Sequence, residues 1–100
     1  MALTGKQIRQ LRSLAHHLSP AVMIGKNGIV EGTLVLAGES LEAHEIGKCA
    51  VQDGSGLTAR EAGEELAARL SADLVQVIGR KFILYRPSSR DDVEHIQLEA

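Results

Sequence analysis

Helical and strand-like apolar patterns alternate along this chain, and that alternation narrows its possible folds more than any other feature of the sequence. Thr4 followed by Gln7 makes a capping box, with Leu3 and Ile8 at the flanking staple positions. Ile8, Leu11, Leu14, Ala15 and Leu18 then share about 120° of helical arc, while Lys6, Arg9, Arg12 and His16 occupy the opposite arc. Pro20 is the expected end of this helix, because the residue before a proline is pushed out of the helical region. Ala21-Val22-Met23-Ile24 reads as a short buried strand, and Gly25-Lys26-Asn27-Gly28 as a tight turn. A second helix is expected from near Val30, with Val30, Leu34, Ala37 and Leu41 on one face. Gly32 and Gly38 weaken it by about 1 kcal/mol each against alanine.

The alternation continues. Glu45 to Val51 is expected as a strand, with Gly47, Cys49 and Val51 on one side and Ile46, Lys48 and Ala50 on the other. After the loop Gln52 to Gly56, Thr58 and Glu61 form a second capping box. It opens a helix to about Ser71, with Ala59, Ala62, Leu66 and Leu70 inward. Leu74 to Ile78 and Phe82 to Arg86 are two strands around Gly79-Arg80-Lys81, the spacing of a hairpin. Strict alternation puts Val75, Val77, Phe82 and Leu84 on one side. Leu74, Gln76, Ile78, Ile83 and Tyr85 go to the other. The order α-β-α-β-α-β-β predicts an α/β domain (α+β in strict schemes): one small two-layer unit with a mixed four-stranded sheet, parallel at its start.

One hundred residues with a single cysteine make one domain without a disulfide framework. No stretch approaches a spanning helix, and no apolar segment at the N-terminus resembles a secretory signal, so a cytoplasmic, reducing setting is expected. Charge is unevenly spread. Residues 88–100 hold one arginine against four acids, a net of −3. Of the chain's 11 basic and 13 acidic residues, the rest keeps 10 and nine. Residues 1–87 are therefore expected as the folded domain and 88–100 as a loose acidic tail.

Catalytic constellations are missing. Cys49 sits mid-strand with nothing beside it to activate a thiolate. His16 and His17 point about 100° apart on a helix and cannot share one ion. His44 and His95 lie in separate elements, and no metal-ligand spacing occurs. Neither an enzyme, a metal, a cofactor nor a small-molecule substrate is expected.

Gly25-Lys26-Asn27-Gly28 carries more. A GxxG turn can simply need glycine's backbone freedom. Here an apolar strand precedes it and a helix follows, which places free N–H groups where phosphate binds well, with Lys26 at the tip. Lys6, Arg9 and Arg12 on the first helix, and Arg80, Lys81 and Arg86 on the hairpin, are the other cations that could flank it. Each group alone could be a solvated face; their joint occurrence favours nucleic acid. A protein-interaction module is the rival reading, through the hairpin side bearing Leu74, Ile78, Ile83 and Tyr85, unless a helix or the tail covers it. Whether the cations form one surface separates the two.

Leu3-Thr4-Gly5-Lys6-Gln7, Leu14-Ala15-His16, the stretch from Pro20 to Gly28, Glu31-Gly32, Val75 to Gly79 and Leu84-Tyr85-Arg86-Pro87 together resemble a CRM domain. More narrowly, they resemble its stand-alone bacterial YhbY-type form. The resemblance implies a monomeric RNA-binding module that is similar in fold to the C-terminal domain of translation initiation factor 3. It also implies an association with rRNA in precursors of the large ribosomal subunit. Carried over by position, Gly25, Lys26, Asn27 and Gly28 would touch RNA backbone, flanked by Lys6, Arg9, Arg12, Arg80, Lys81 and Arg86. The segment Glu45 to Val51 is poorer in lysine than the family pattern.

Overall fold

The computed structural model of the chain describes residues 3–100; Met1 and Ala2, counted in the expected 1–87 domain, lie outside the described residues. Seven elements follow in the expected order: α1 (Gly5–Ala15), β1 (Val22–Ile24), α2 (Glu31–His44), β2 (Ile46–Val51), α3 (Ala59–Leu70), β3 (Asp73–Ile78) and β4 (Lys81–Tyr85). The strands form one sheet in the order β1-β2-β4-β3. β1 runs parallel to β2, and β4 is antiparallel to both β2 and β3. Both capping boxes form, with Thr4 accepting from the Gln7 N–H and Thr58 from the Glu61 N–H.

Helices α2 and α3 cover one face of the sheet. Val22, Ile24, Cys49, Val51, Phe82 and Leu84 meet Ala37, Leu41, Ala62 and Leu66 there. Leu11 and Ala15 of α1 pack on the opposite face against Ile46, Val75, Ile83 and Tyr85, joined by Ile96 and Leu98 from the C-terminal segment. The sheet with α2 and α3 is thus the expected two-layer body, and α1 and the tail add cover on its other side.

Four local expectations change. α1 stops at Ala15, well before Pro20: the His16 N–H is shared between the carbonyls of Arg12 and Ser13, and the Leu18 N–H turns back to Ala15. Leu18 thus falls outside the helix, and Leu14 and Leu18, both expected inward, are 46 % and 37 % exposed. On β3, Leu74 pairs with Leu84 and Gln76 with Ile83, leaving Val75 as a bulge residue. The bulge exchanges two side chains across the sheet: Leu74 joins the α2/α3 core and Val75 the α1 core. Ile78 pairs directly with Lys81, so Gly79 and Arg80 alone make the hairpin turn. Gly79 takes φ +56°, the left-handed position such a turn demands of its first central residue.

Glu45 is the fourth. It does not start β2 but closes α2 as a C-cap with φ 66°, a conformation glycine usually fills. Its carboxylate is buried and collects the tail: the Ser88 N–H reaches Oε2 at 2.6 Å, His95 Nδ1 reaches Oε2 at 2.7 Å, and the Ile96 N–H reaches Oε1 at 2.6 Å. Further along, Gln7 and Gln10 of α1 bind the Glu99 and Gln97 carbonyls, and Gln10 accepts from the Glu99 N–H. The segment 88–100, expected to be loose, is instead strapped over the edge of the second core. Its charge is high, but Ile96 and Leu98 bury apolar surface and its backbone groups find partners.

Candidate functional site

The Gly25-Lys26-Asn27-Gly28 loop leaves the sheet where β1 ends. The Gly28 N–H closes a turn on the Gly25 carbonyl at 2.9 Å, and Gly28 takes φ +70°. Lys26 and Asn27 are exposed, and their N–H groups have no backbone acceptor among the described residues. A Cβ at Gly28 would meet nothing within 4 Å, so this side of the loop is open. Ile29 and Val30 separate the turn from α2, whose first turn holds Glu31 and whose Thr33 hydroxyl takes the Val30 N–H. The loop's own amides, rather than the end of α2, are therefore the donors an anion would meet first.

The same end of the sheet carries Lys81. Register places Met23, Ala50, Lys81 and Ile78 on one rung, facing away from the α2/α3 core. Beside that rung, a groove of about 740 Å³ lies between α1 and the sheet. Arg9, Arg12, His16 and His17 line one wall, and Lys48 and Lys81 rise from the sheet. Gln76, Ile78 and Ile83 form its floor, and no carboxylate lines it. Turning the Gln76 amide so that its oxygen faces α1 lets it accept from Arg12 Nε at 2.8 Å and from an Arg12 terminal nitrogen at 3.1 Å. Arg12 is thereby held over the sheet.

Arg9, Arg12 and Lys81 thus line one groove, and the register puts Lys81 at the end of the sheet from which the Gly25–Gly28 loop leaves. Lys6 lies exposed one helical turn before Arg9 and extends the basic stripe without lining the groove. Arg80 sits at the hairpin tip, paired with Asp53 at 2.6 Å; both side chains are well exposed. Arg86 departs from expectation. It lies just past the opposite end of β4, where it donates to the Leu70 carbonyl at 2.7 Å and to Glu42 Oε2 at 3.1 Å. Its guanidinium ties α2 to α3 and is removed from the groove by the length of the strand.

His16, His17 and Gln76 enter the groove without having been singled out as contacts, and Lys48, which the family pattern offers only as a weak contact, joins them. The period-2 alternation that puts Lys48 opposite Cys49 was available in the sequence. Alternation also puts Gln76 on one face with Ile78 and Ile83; its place beneath Arg12 depends on how α1 packs on the sheet. Cys49 is buried, and desolvation pushes its thiol up to about 12, which leaves it inert at neutral pH. No cluster of three metal-binding side chains occurs among the described residues. No helix among them is long and apolar enough to cross a membrane. The face proposed for protein contact is largely covered: Ile83 and Tyr85 are buried beneath α1 and the tail, and Leu74 turns into the other core.

Comparison with known proteins adds to this geometry. Residues 3–86 match the CRS1 / YhbY (CRM) domain. A Bacillus subtilis protein, YqeI, named as a probable RNA-binding protein, is 38% identical over 89 residues, 89% of this chain and 93% of its own length. A Haemophilus influenzae protein named as an RNA-binding protein is 37% identical over 92 residues, 92% of this chain and 93% of its own. The solution structure of a Staphylococcus aureus protein, described as a candidate RNA-binding protein, superposes with a TM-score of 0.67 at 39% identity. It covers 95% of this chain and 100% of its own.

Proposed function

Since this chain belongs to the CRS1/YhbY (CRM) domain family, we propose that it is a non-enzymatic RNA-binding protein acting on rRNA during assembly of the large ribosomal subunit. The observation that carries this reading is the groove between α1 and the sheet, where Arg9, Arg12, Lys48 and Lys81 converge with no carboxylate among the lining residues. A net charge of −2 would oppose a polyanion if it were evenly spread. Arg9, Arg12, Lys48 and Lys81 are instead focused on one concave side, and a focused field attracts a polyanion whatever the sum. The Gly25–Gly28 loop, with two free amides and Lys26, supplies a further phosphate contact at the same end of the sheet. The mechanism is positional: folded or partly folded RNA is held by its backbone, and no bond is made or broken.

A salt titration tests it. Binding that rests on phosphate contacts loses affinity linearly in log–log form. Against a large-subunit rRNA fragment, Arg9→Ala and Lys81→Ala are expected to lower affinity and to flatten the slope by about 0.7–0.9 each. Arg86→Ala, which breaks a tie between helices, should leave the slope unchanged in samples shown to be folded. Affinity independent of salt, or an equal effect of Arg86→Ala, would overturn the assignment of this groove. Crosslinking in cells followed by sequencing of the attached RNA tests the rRNA target.

A further inference from the structure

The groove has a property that phosphate binding alone does not require: an apolar floor. Ile78, in that floor, is 61% exposed although it ends a core-forming strand; Met23, on the same rung three strands away and outside the groove, is 53% exposed. Ile83 lies deeper, buried beneath α1. Gln76 lines the groove, and with its oxygen engaged by Arg12 its amide NH2 remains as a donor. A volume of about 740 Å³ falls within the ~300–1,000 Å³ typical of sites that enclose a small organic ligand.

An RNA duplex keeps its bases stacked and offers proteins its phosphates and 2′-hydroxyls. It would satisfy the cations and leave this floor in water. An unpaired nucleotide satisfies both parts at once. Its flanking phosphates meet Arg9, Arg12, Lys48 and Lys81, and its base enters the hollow. Phe82 and Tyr85 are both buried, so no aromatic residue is free to stack on it. The planar groups within reach are the imidazoles of His16 and His17 and the two guanidiniums. Side chains of these types stack on splayed bases elsewhere.

We propose that the groove takes one unpaired nucleotide, its base lying against Ile78 with the Gln76 amide on its edge and its phosphates held by the surrounding cations. The proposal rests on the RNA-binding reading and names the class of RNA that this site selects: structured RNA with an unpaired nucleotide, rather than continuous duplex.

The test uses the whole protein and two RNA hairpins that differ only by a single-nucleotide bulge in the stem, with affinity read by fluorescence anisotropy. The bulged hairpin is expected to bind about ten-fold more tightly, the order that one good base contact contributes. Ile78→Ser should bring the two affinities together by weakening the bulged hairpin alone; Gln76→Ala should also bring them together, but with some loss for the plain hairpin, because it releases Arg12. A photoreactive uridine at the bulge should crosslink to the peptides containing Gln76 and His16, a readout that does not depend on any variant folding. Equal binding of the two hairpins by the parent protein would overturn this proposal and leave the RNA-binding reading in place. Binding of neither at low salt would overturn that reading itself. Crosslinking confined to the Gly25–Gly28 loop would place the base there and refute the groove as its site.

Discussion

Gly28 and Glu45 show how much a single backbone angle can decide. Gly28 sits at φ +70° with open space around it, so a side chain there meets strain rather than a clash. Gly28→Ala is expected to cost about 1 kcal/mol of stability, since alanine rarely adopts this conformation. Gly28→Asp adds a negative charge beside the two free loop amides. It should weaken RNA binding more than Lys26→Ala does, because the Lys26 charge is exposed and screened. Titration of circular-dichroism-checked variants measures this, and a folded Gly28→Asp protein that binds like the parent would remove the loop from the interface. Glu45 is the opposite case, a non-glycine residue kept at φ 66°. The strain, of order 1 kcal/mol, is tolerated because the carboxylate collects the amides of Ser88 and Ile96 and the ring of His95. Nothing in the sequence around Glu45 marks it: its partners lie more than 40 residues away.

Elements pack by shape that no local pattern reveals. Gly63, in the middle of α3, lets that helix approach β3 and β4 closely. A Cβ there would lie 2.7 Å from Leu74 Cδ1 and 3.2 Å from Phe82 Cδ2. In an exposed helix, alanine for glycine would stabilise by about 1 kcal/mol; here overpacking against a buried ring opposes that with about 1–3 kcal/mol. Gly63→Ala is therefore expected to be neutral to destabilising by up to about 2 kcal/mol, and a rise in Tm would show that Leu74 repacks freely. The bulge at Val75 is what brings Leu74 under Gly63. Strict alternation sends Leu74 to the other face, so one extra residue in one strand decides which of Leu74 and Val75 enters the α2/α3 core.

The molecule as a whole depends on its last residues. Removing 88–100 would strip the Glu45 carboxylate of its three tail partners and expose part of the α1 core. Truncation is expected to lower stability by at least about 2 kcal/mol, seen as a fall in Tm; an unchanged Tm would show that the strap does not hold the fold. The strap should also respond to pH in both directions. Burial pushes the Glu45 carboxyl up, but the Ser88 N–H, His95 and the Ile96 N–H together outweigh it and hold its pKa below 4.5. Its contribution is present above that ordinary value and disappears as pH falls through the lowered one. The hydrogen bond to Glu45 raises His95 above 6.5. That contribution is complete below 6.5 and disappears as pH rises through the raised value. Amide exchange at Ile96 is thus expected to be slowest, after correction for intrinsic rates, between about 4.5 and 6.5. His95→Gln should abolish the alkaline arm and move the acidic arm upward, since His95 also helps to hold the Glu45 carboxyl down. The acidic arm is shared with Glu42, whose pKa is lowered first by the Ser89 hydroxyl, and with Asp92, paired with Arg90.

Period, caps and punctuation were enough to determine the element order, the parallel start of the sheet and the basic stripe on α1, because these depend on residues three or four apart or on alternation within one strand. The sequence also showed the Gly25–Gly28 turn, since glycine spacing is local. Tertiary structure decided where each cation ends up. Arg86 is one residue beyond β4 and looks like its neighbours in the sequence, yet antiparallel pairing carries it to the far end of the sheet, into a tie between two helices. Lys81 begins the same strand and the same pairing places it in the groove with Arg9 and Arg12. Gln76, the bulge that turns Val75 over and the buried carboxylate that gathers the tail all rest on contacts between residues distant in sequence. Such contacts follow from how the whole chain closes on itself, and no window along it contains both partners.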